Sequence, residues 1–471
     1  MRRTALAFAL SLLVALPLQA QQASHASVTR VDDASMTRAA QLRDAALKDD
    51  TGWKVVESLT TEVGPRVAGS EADARAVAWA KAKFKQLGYD KVWTEPVTFP
   101  KWERRSEHGE VLGTHAQKLV LTALGGSAGG TVEGEVMRFP DLAALQAAPD
   151  GSLAGKIAFV DYQMQPFRDG HDYRNGGGIR GGGPSVAIHK GAIGFLMRSA
   201  GTETSRLPHT GNTRYERGLT PIPAAALSTI DAAQLARLVA LGPTRVKLAL
   251  DCGFDGEYTS QNVIGEITGS KHPKEVVLIG GHLDSWDHGT GAIDDGAGIA
   301  ITMATGALLK PLKPARTIRV VAFANEEQGL YGGRAYADKH AGDVVNHVIA
   351  AESDFGAGHI YGFDSSARDA QPEAIQQFMQ VLAPLGIEWK PNEGDPESDI
   401  GAMAQRGMAW AWLGHDGTHY FDLHHNADDT LDKIDPKDLA QNVAAYAVFT
   451  YLAAQAQGGF GSEAKALEAG K

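Results

Sequence analysis

Apolar positions along the chain fall into three regimes. Near the start they carry helical spacing. Val28–Leu47 reads as one helix, and "GSEADARAVAWAKAKFKQLGYD" as a clearer one, with Val77, Ala80, Phe84 and Leu87 on one face. Ser70 and Asp73 supply a capping-box pattern at its start, and Gly88 ends it. From about residue 108 to 256 the pattern turns to short β-rich runs, "GTVEGEVMRF", "GKIAFVDY", "AIGFLMRS" and "IPAAALS", parted by turn-rich loops. This predicts a separate, mostly β unit inserted into the chain. Within it, "RNGGGIRGGGPS" lacks the Lys-Ser/Thr ending of a phosphate loop and has no clean helix pattern after it, so a flexible loop is expected.

From about 260 the pattern becomes α/β. "KEVVLIGG", "TIRVVAFA" and "VVNHVIAAES" are buried strands. "DGAGIAITMATGALLKPL" is a helix stopped by Pro311, and a C-terminal helix begins at Asp435 and Pro436. Alternating apolar strands and helices predict a mostly parallel sheet between helices. Ligand sites in such sheets gather beyond the carboxyl ends of the strands.

Composition adds limits. The 471 residues are 43% hydrophobic and 21% charged, an ordinary globular balance with room for two or three domains. A net charge of −11 and the lack of a basic stripe argue against nucleic acid as a partner. "MRRTALAFALSLLVALPLQAQQ" has the plan of a secretory leader, with cleavage after about Ala20. Its apolar stretch is short of the ~20 residues that span a bilayer, and no other segment is expected to cross one. Export to a periplasmic or extracellular space without a membrane anchor follows. Cys252 stands alone, which excludes an internal disulfide and a multi-cysteine metal site. The expected divisions are 1–20 leader, 21–107 first part of the main domain, 108–256 insert, and 257–471 main domain with the polar clusters.

Those clusters follow the strands. His282 and Asp284 come directly after "VVLIGG", Asp294 and Asp295 open the next helix, Glu326 and Glu327 follow "VVAFAN", and Asp354 follows "VIAAES". "LHHNADDT" adds His424 and His425. Each element alone has an ordinary explanation as a turn, a cap or a surface pair. Together they place carboxylate or imidazole at three strand ends, with no nearby lysine or arginine, and that calls for cations. Imidazole with carboxylate and no thiolate suits zinc, with manganese or cobalt as alternatives. Even four of these carboxylates with two imidazoles, six candidate ligands, exceed one tetrahedral zinc. Two metals sharing a carboxylate can hold a hydroxide and polarise a carbonyl while a free carboxylate moves the proton.

"GHLDSWDHGTGAIDDGAG", "ANEEQG", "ESDFG" and "HHNADDT" resemble the co-catalytic zinc exopeptidases, a family that includes secreted leucine aminopeptidases and glutamate carboxypeptidases. "TEVGPRVAGS", "PVTFPKWER" and "EITGSKHPKEVVLIGGHLDSWD" extend the resemblance over nearly the whole mature chain, towards its glutamate carboxypeptidase branch. It implies two zinc ions per chain: His282 and Asp354 on one, Glu327 and His425 on the other, Asp294 between them. Glu326 would be the general base and Asp284 the carboxylate orienting His282. His424 is the alternative to His425, and Asp399 has a supporting place. The insert resembles a protease-associated domain. The implied substrate is a dipeptide or short peptide, and a homodimer is the assembly that analogy suggests.

Two features depart from the branch. "LGHDGTHYFDL" differs from its pattern, and no arginine patch for acidic peptides is evident. "NEGDPESD" offers either attraction for a free α-amino group or plain solvated charge. A single-zinc glutaminyl cyclase and a non-catalytic binding ectodomain are the rival functions on this scaffold.

Overall fold

The computed structural model describes residues 28–465, so the predicted leader and its cleavage site lie outside the described residues. Strands His347–Glu352, His272–His282 and Arg316–Phe323 lie side by side in that order, neighbours parallel. Arg245–Ile267 and then Lys91–Leu112 continue the sheet antiparallel.

Alternation along the strands feeds two cores. Val277, Ile279, Val320, Ala322, Ile349 and Ala351 pack with the helices Ala297–Leu309 and Pro436–Gln455. Val276, Leu278, Val321, Phe323 and Ala350 share the second core with Tyr336 and Met403, from the helices Tyr331–Lys339 and Gly401–Gln405. Successive strand residues point to opposite faces, so unbroken apolar runs are what a sheet covered on both sides requires. The architecture is the expected α/β sandwich with a largely parallel centre. The region Ala292–Leu312 corrects one expectation. It is long and apolar enough to cross a membrane, yet 89% of its apolar window is buried, as a core helix of this sandwich.

Helix ends follow local chemistry. Ser70 caps Glu71–Gln86 by accepting from the Asp73 N–H at 3.2 Å, while Asp73 reaches back to the Gly69 N–H at 3.0 Å. Asp435 caps the last helix through the Lys437 N–H at 2.7 Å.

Strands Gly130–Phe139, Ile157–Val160, Gly194–Arg198 and Ala224–Leu227 extend the sheet beyond Arg245–Ile267 as a β-rich unit. Phe159, Leu196, Leu227 and Leu248 belong to its own core. The sequence positions 108 and 256 fall inside the two long strands, which run on into the main sheet. Three helices, Leu142–Ala147, Tyr173–His189 and Thr229–Leu241, accompany the strands and are absent from the sequence-based expectation. The second of them replaces the expected flexible loop. "RNGGGIRGGGPS" is helical although glycine is a poor helix former. A Cβ at Gly176 would stand 2.4 Å from the Met164 sulfur, and one at Gly183 2.6 Å from the Phe195 ring. Close packing on the adjoining strand outweighs the low propensity.

His347 gives this core a pH dependence. Its Nε2 accepts from the Tyr336 hydroxyl at 2.8 Å, and its Nδ1–H donates to the Asp343 carbonyl at 3.0 Å. Burial pushes the imidazole pKa down to about 4, with the Arg319 cation adding to it against the Asp343 carbonyl. Unfolded histidine titrates near ~6.5. The contribution is therefore complete above that value and is lost as pH falls towards 4, at about 1.4 kcal/mol per unit. Denaturant unfolding between about pH 7 and about pH 5 is expected to show this slope reduced in His347→Gln. An equal slope in the variant assigns it to other groups.

Candidate metal centre

Strand register builds the site. His282 lies opposite Phe323 and Gly280 opposite Glu352, so the carboxyl ends of the three parallel strands share one edge. His282, the pair Glu326–Glu327 and Asp354 leave the sheet there. Asp294 arrives from the turn Ala292–Gly296, and His424 and His425 from the segment after the short helix Tyr420–Leu423.

Asp294 stands between two groups. Its Oδ1 lies 2.9 Å from His282 Nε2, which is itself 3.1 Å from Asp354 Oδ1. Its Oδ2 lies 3.1 Å from His425 Nε2, which is 2.9 Å from Glu327 Oε2. His424 Nε2 is further from Asp294, at 3.6 Å, and its ring stacks on that of His425 at 3.4 Å. His425 has φ +64°, a left-handed conformation that costs energy for a non-glycine residue and recurs at functional sites.

The other nitrogen of each close imidazole is held by the backbone. His282 Nδ1–H donates to the Asp284 carbonyl at 3.1 Å, and His425 Nδ1–H to the Thr210 carbonyl at 3.2 Å. Nε2 is then the position free to exchange its proton for a cation. Asp284 Oδ1 lies 3.6 Å from His282 Nδ1 and accepts from the Glu326 N–H at 3.0 Å. Asp295 is occupied elsewhere. Its oxygens accept from the N–H groups of His282 at 3.0 Å and Gly298 at 2.8 Å, which ties the strand end to the helix start. Asp399 accepts from the Gly333 N–H at 2.7 Å, and its carboxyl is pushed up to about 8 chiefly by burial.

The vicinal glutamates differ. Glu327 Oε2 faces His425 and accepts from Trp286 Nε1–H at 2.6 Å. The segment is not extended here. Asn325 has φ +53° and the Glu326 carbonyl accepts from Gly329 and Leu330, so a turn parts the two side chains. Burial lifts Glu326 well above the usual carboxylate range, and the neighbouring Asp354 carboxylate adds to this.

The charges suit divalent cations. Burial opposes a charged His282, yet Asp354, Asp284 and Asp294 hold its pKa well above the ordinary value. Glu327 and Asp294 likewise outweigh burial at His425 and raise it to about 9. Protons held this way by carboxylates are those a metal displaces on binding. Asp294 Oδ2 and Glu327 Oε1 are buried without a hydrogen-bond donor. Three overlapping groups could hold a cation, Asp294 with His424 and His425, His282 with Asp294 and Glu327, and His282 with Asp295 and Asp354; the first two share Asp294 and the last two share His282. The donor set of imidazole and carboxylate fits two zinc ions.

Peptidase family M28 matches residues 262–450. Carboxypeptidase Q of Bos taurus is 34% identical over 404 residues, covering 84% of each chain. The chain belongs to peptidase family M28. Its relatives include carboxypeptidase Q of Homo sapiens, 33% identical over 402 residues with 84% of each chain covered. A crystal structure of an M28 peptidase precursor from Shewanella amazonensis is 47% identical, with a TM-score of 0.87 over 89% of this chain and 96% of that one. The protein is thus a zinc-dependent exopeptidase of family M28 with a dizinc centre.

Several residues of the M28 site escape sequence reasoning. Arg66, fully buried, donates to the carbonyls of Leu283, Thr290 at 2.7 Å and Gly291 at 2.9 Å, and so pins the loop between His282 and Asp294. Its only sequence signal is its place in "TEVGPRVAGS". Thr210, Tyr173 and Arg180 come from the β-rich unit. A cavity of about 1660 Å³ opens over the centre, lined by Glu326, Glu327, Asp354 and His425. Arginines that lie apart in sequence, Arg174, Arg180, Arg214 and Arg334, also line it, so the arginine-poor expectation does not hold in space.

Proposed function

We propose that this M28 peptidase removes a terminal residue from dipeptides or short peptides in an exported setting. His282, Asp354 and Asp294 would hold one zinc, and Glu327, His425 and Asp294 would hold the second. The observation carrying this assignment is the placement of Asp294, with one carboxylate oxygen towards each histidine. Two zinc ions, when bound, supply Lewis acidity towards a peptide carbonyl and towards water.

The chain's own groups do the rest. Glu326, with its raised affinity for a proton, takes one from the attacking water and delivers it to the leaving amine. The Asp284 carbonyl fixes the His282 ring through its Nδ1–H, and the Trp286 N–H holds Glu327 with Oε1 left free. The insert, taken as residues 108–256, closes one side of the cavity with Tyr173 and Arg180 and sets what enters. Export rests on the leader pattern of residues 1–20.

Profiling zinc-loaded protein on free, N-blocked and C-blocked dipeptides tests the function. Hydrolysis of free dipeptides with loss on blocking at least one end is expected. Cleavage inside long, doubly blocked peptides, or cyclisation of N-terminal glutamine without hydrolysis, would refute it.

A further inference from the structure

The two metal positions are held from different sides. The first is set within the main sheet, where the Asp284 carbonyl orients His282 and Asp354 accepts from the Ser398 hydroxyl. The second is set from the β-rich unit. The Trp286 ring that donates to Glu327 is packed in that unit's core beside Trp102. Gly125 leaves the ring its room, since a Cβ there would stand 2.2 Å from Trp286 Cη2. His425 donates to the Thr210 carbonyl at 3.2 Å, and its own carbonyl accepts from the Thr210 N–H at 3.0 Å.

Next to this pair of bonds lies a buried histidine that the metal chemistry does not use. His209 is 1% exposed. Its Nδ1–H donates to the His424 carbonyl, and its Nε2 meets Glu203 Oε2 at 2.7 Å. The backbone is fixed behind it. The His209 N–H donates to the Ser199 hydroxyl at 2.8 Å, which donates in turn to the Leu227 carbonyl at 2.7 Å. Gly201 admits the His209–Glu203 pair, because a Cβ there would stand 2.3 Å from His209 Nε2 and 2.4 Å from Glu203 Oε2.

The segment held in this way contains a strained residue. His425 has φ +64°, which a non-glycine residue keeps only where its surroundings over-determine it. The His424 carbonyl belongs to the planar peptide group entering that turn, so a bond to it fixes the plane from which the His425 ring departs. Asn426, on the other side, donates to the Asp422 carbonyl at 2.8 Å and lies 3.2 Å from His209 Nε2. His209 therefore reaches both flanks of His425.

We infer that His209, backed by Glu203, is a positioning residue of the second zinc position, acting through the His424 carbonyl on the turn that presents His425. This rests on the ligand assignment proposed above, in which His425 and Glu327 serve that zinc. Groups that orient metal ligands without touching the metal typically contribute about 10- to 100-fold in affinity. The expected effect is one-sided. A bond that merely joined two parts of the molecule would act on both zinc positions or on neither.

Zinc titration of metal-free protein by calorimetry tests this. In the otherwise wild-type chain, His209→Ala should weaken one of two zinc ions by about 10- to 100-fold and leave the other within about threefold. His209→Asn, whose amide N–H can stand where Nδ1–H does, should recover most of the loss. Glu203→Gln should weaken the same zinc to a smaller extent. Two further backgrounds identify that zinc. In His282→Ala, which breaks the first position, His209→Ala should again cost about 10- to 100-fold. In His425→Ala it should cost less than about twofold, since the two residues then have nothing to couple. Equal weakening of both zinc ions, or a loss in His425→Ala as large as in His282→Ala, overturns the inference. Two zinc ions unaffected by His209→Ala overturn it while the ligand assignment stands. A single zinc in the wild type at saturation refutes that assignment, and the inference with it. If His209→Ala does not fold, Glu203→Gln decides: a loss confined to the His282→Ala background supports the inference, and wild-type affinity there overturns it.

Discussion

Glu326→Gln is expected to lower kcat by about 10²–10⁴ while zinc content and fold stay at wild type. Glutamine keeps the shape of the side chain and removes its basicity. Glu326 makes none of the imidazole contacts that mark its neighbour, and its main-chain N–H bond to Asp284 survives the change. Burial and the adjacent Asp354 carboxylate raise its pKa, which suits a group that must hold a proton briefly and release it. The sign for pH follows. The base works only when deprotonated, so wild-type kcat should fall as pH drops through its raised pKa, and the variant should lack that limb. Steady-state kinetics across pH beside metal analysis checks both points. Loss of zinc in parallel with activity would make Glu326 a ligand instead.

Glu327→Gln should behave in the opposite way. Its Oε2 lies 2.9 Å from His425 Nε2, and its Oε1 is buried without a donor. Replacing an anionic ligand by a neutral amide should weaken one zinc by at least about 100-fold, since even supporting residues around a metal are worth 10–100-fold. Activity should fall with the lost zinc and return partly when zinc is in excess, whereas Glu326→Gln should gain nothing from added metal. Rescue of Glu326→Gln together with a fully loaded, inactive Glu327→Gln would reverse the two roles.

Much of the fold and its site is legible locally. The strands are continuous apolar runs, and a parallel sheet brings their carboxyl ends to one edge, so the polar residues just after "VVLIGG", "VVAFAN" and "VIAAES" had to meet. His425 and His424 are adjacent in sequence, and only the backbone turn at His425 sets one at 3.1 Å and the other at 3.6 Å from Asp294. The separation of Glu326 from Glu327 also comes from a turn, where periodicity alone would give a strand. The helix Tyr173–His189 was illegible for another reason. Its glycines disfavour a helix in isolation and make sense only against Met164 and Phe195. Arg66, Thr210 and Arg180 reach the centre from segments more than 70 positions away from His282, carry no periodic signal, and become visible only through their partners.

Zinc titration of metal-free protein, read by calorimetry and by elemental analysis after desalting, tests the central claim most directly. Two zinc ions per chain are expected in the wild type and in Asp399→Asn, and one in His425→Ala, whose Nε2 lies 2.9 Å from Glu327 Oε2 and 3.1 Å from Asp294 Oδ2. A single zinc at saturation in the wild type, unchanged in His425→Ala, would contradict a centre in which Asp294 joins two metal positions.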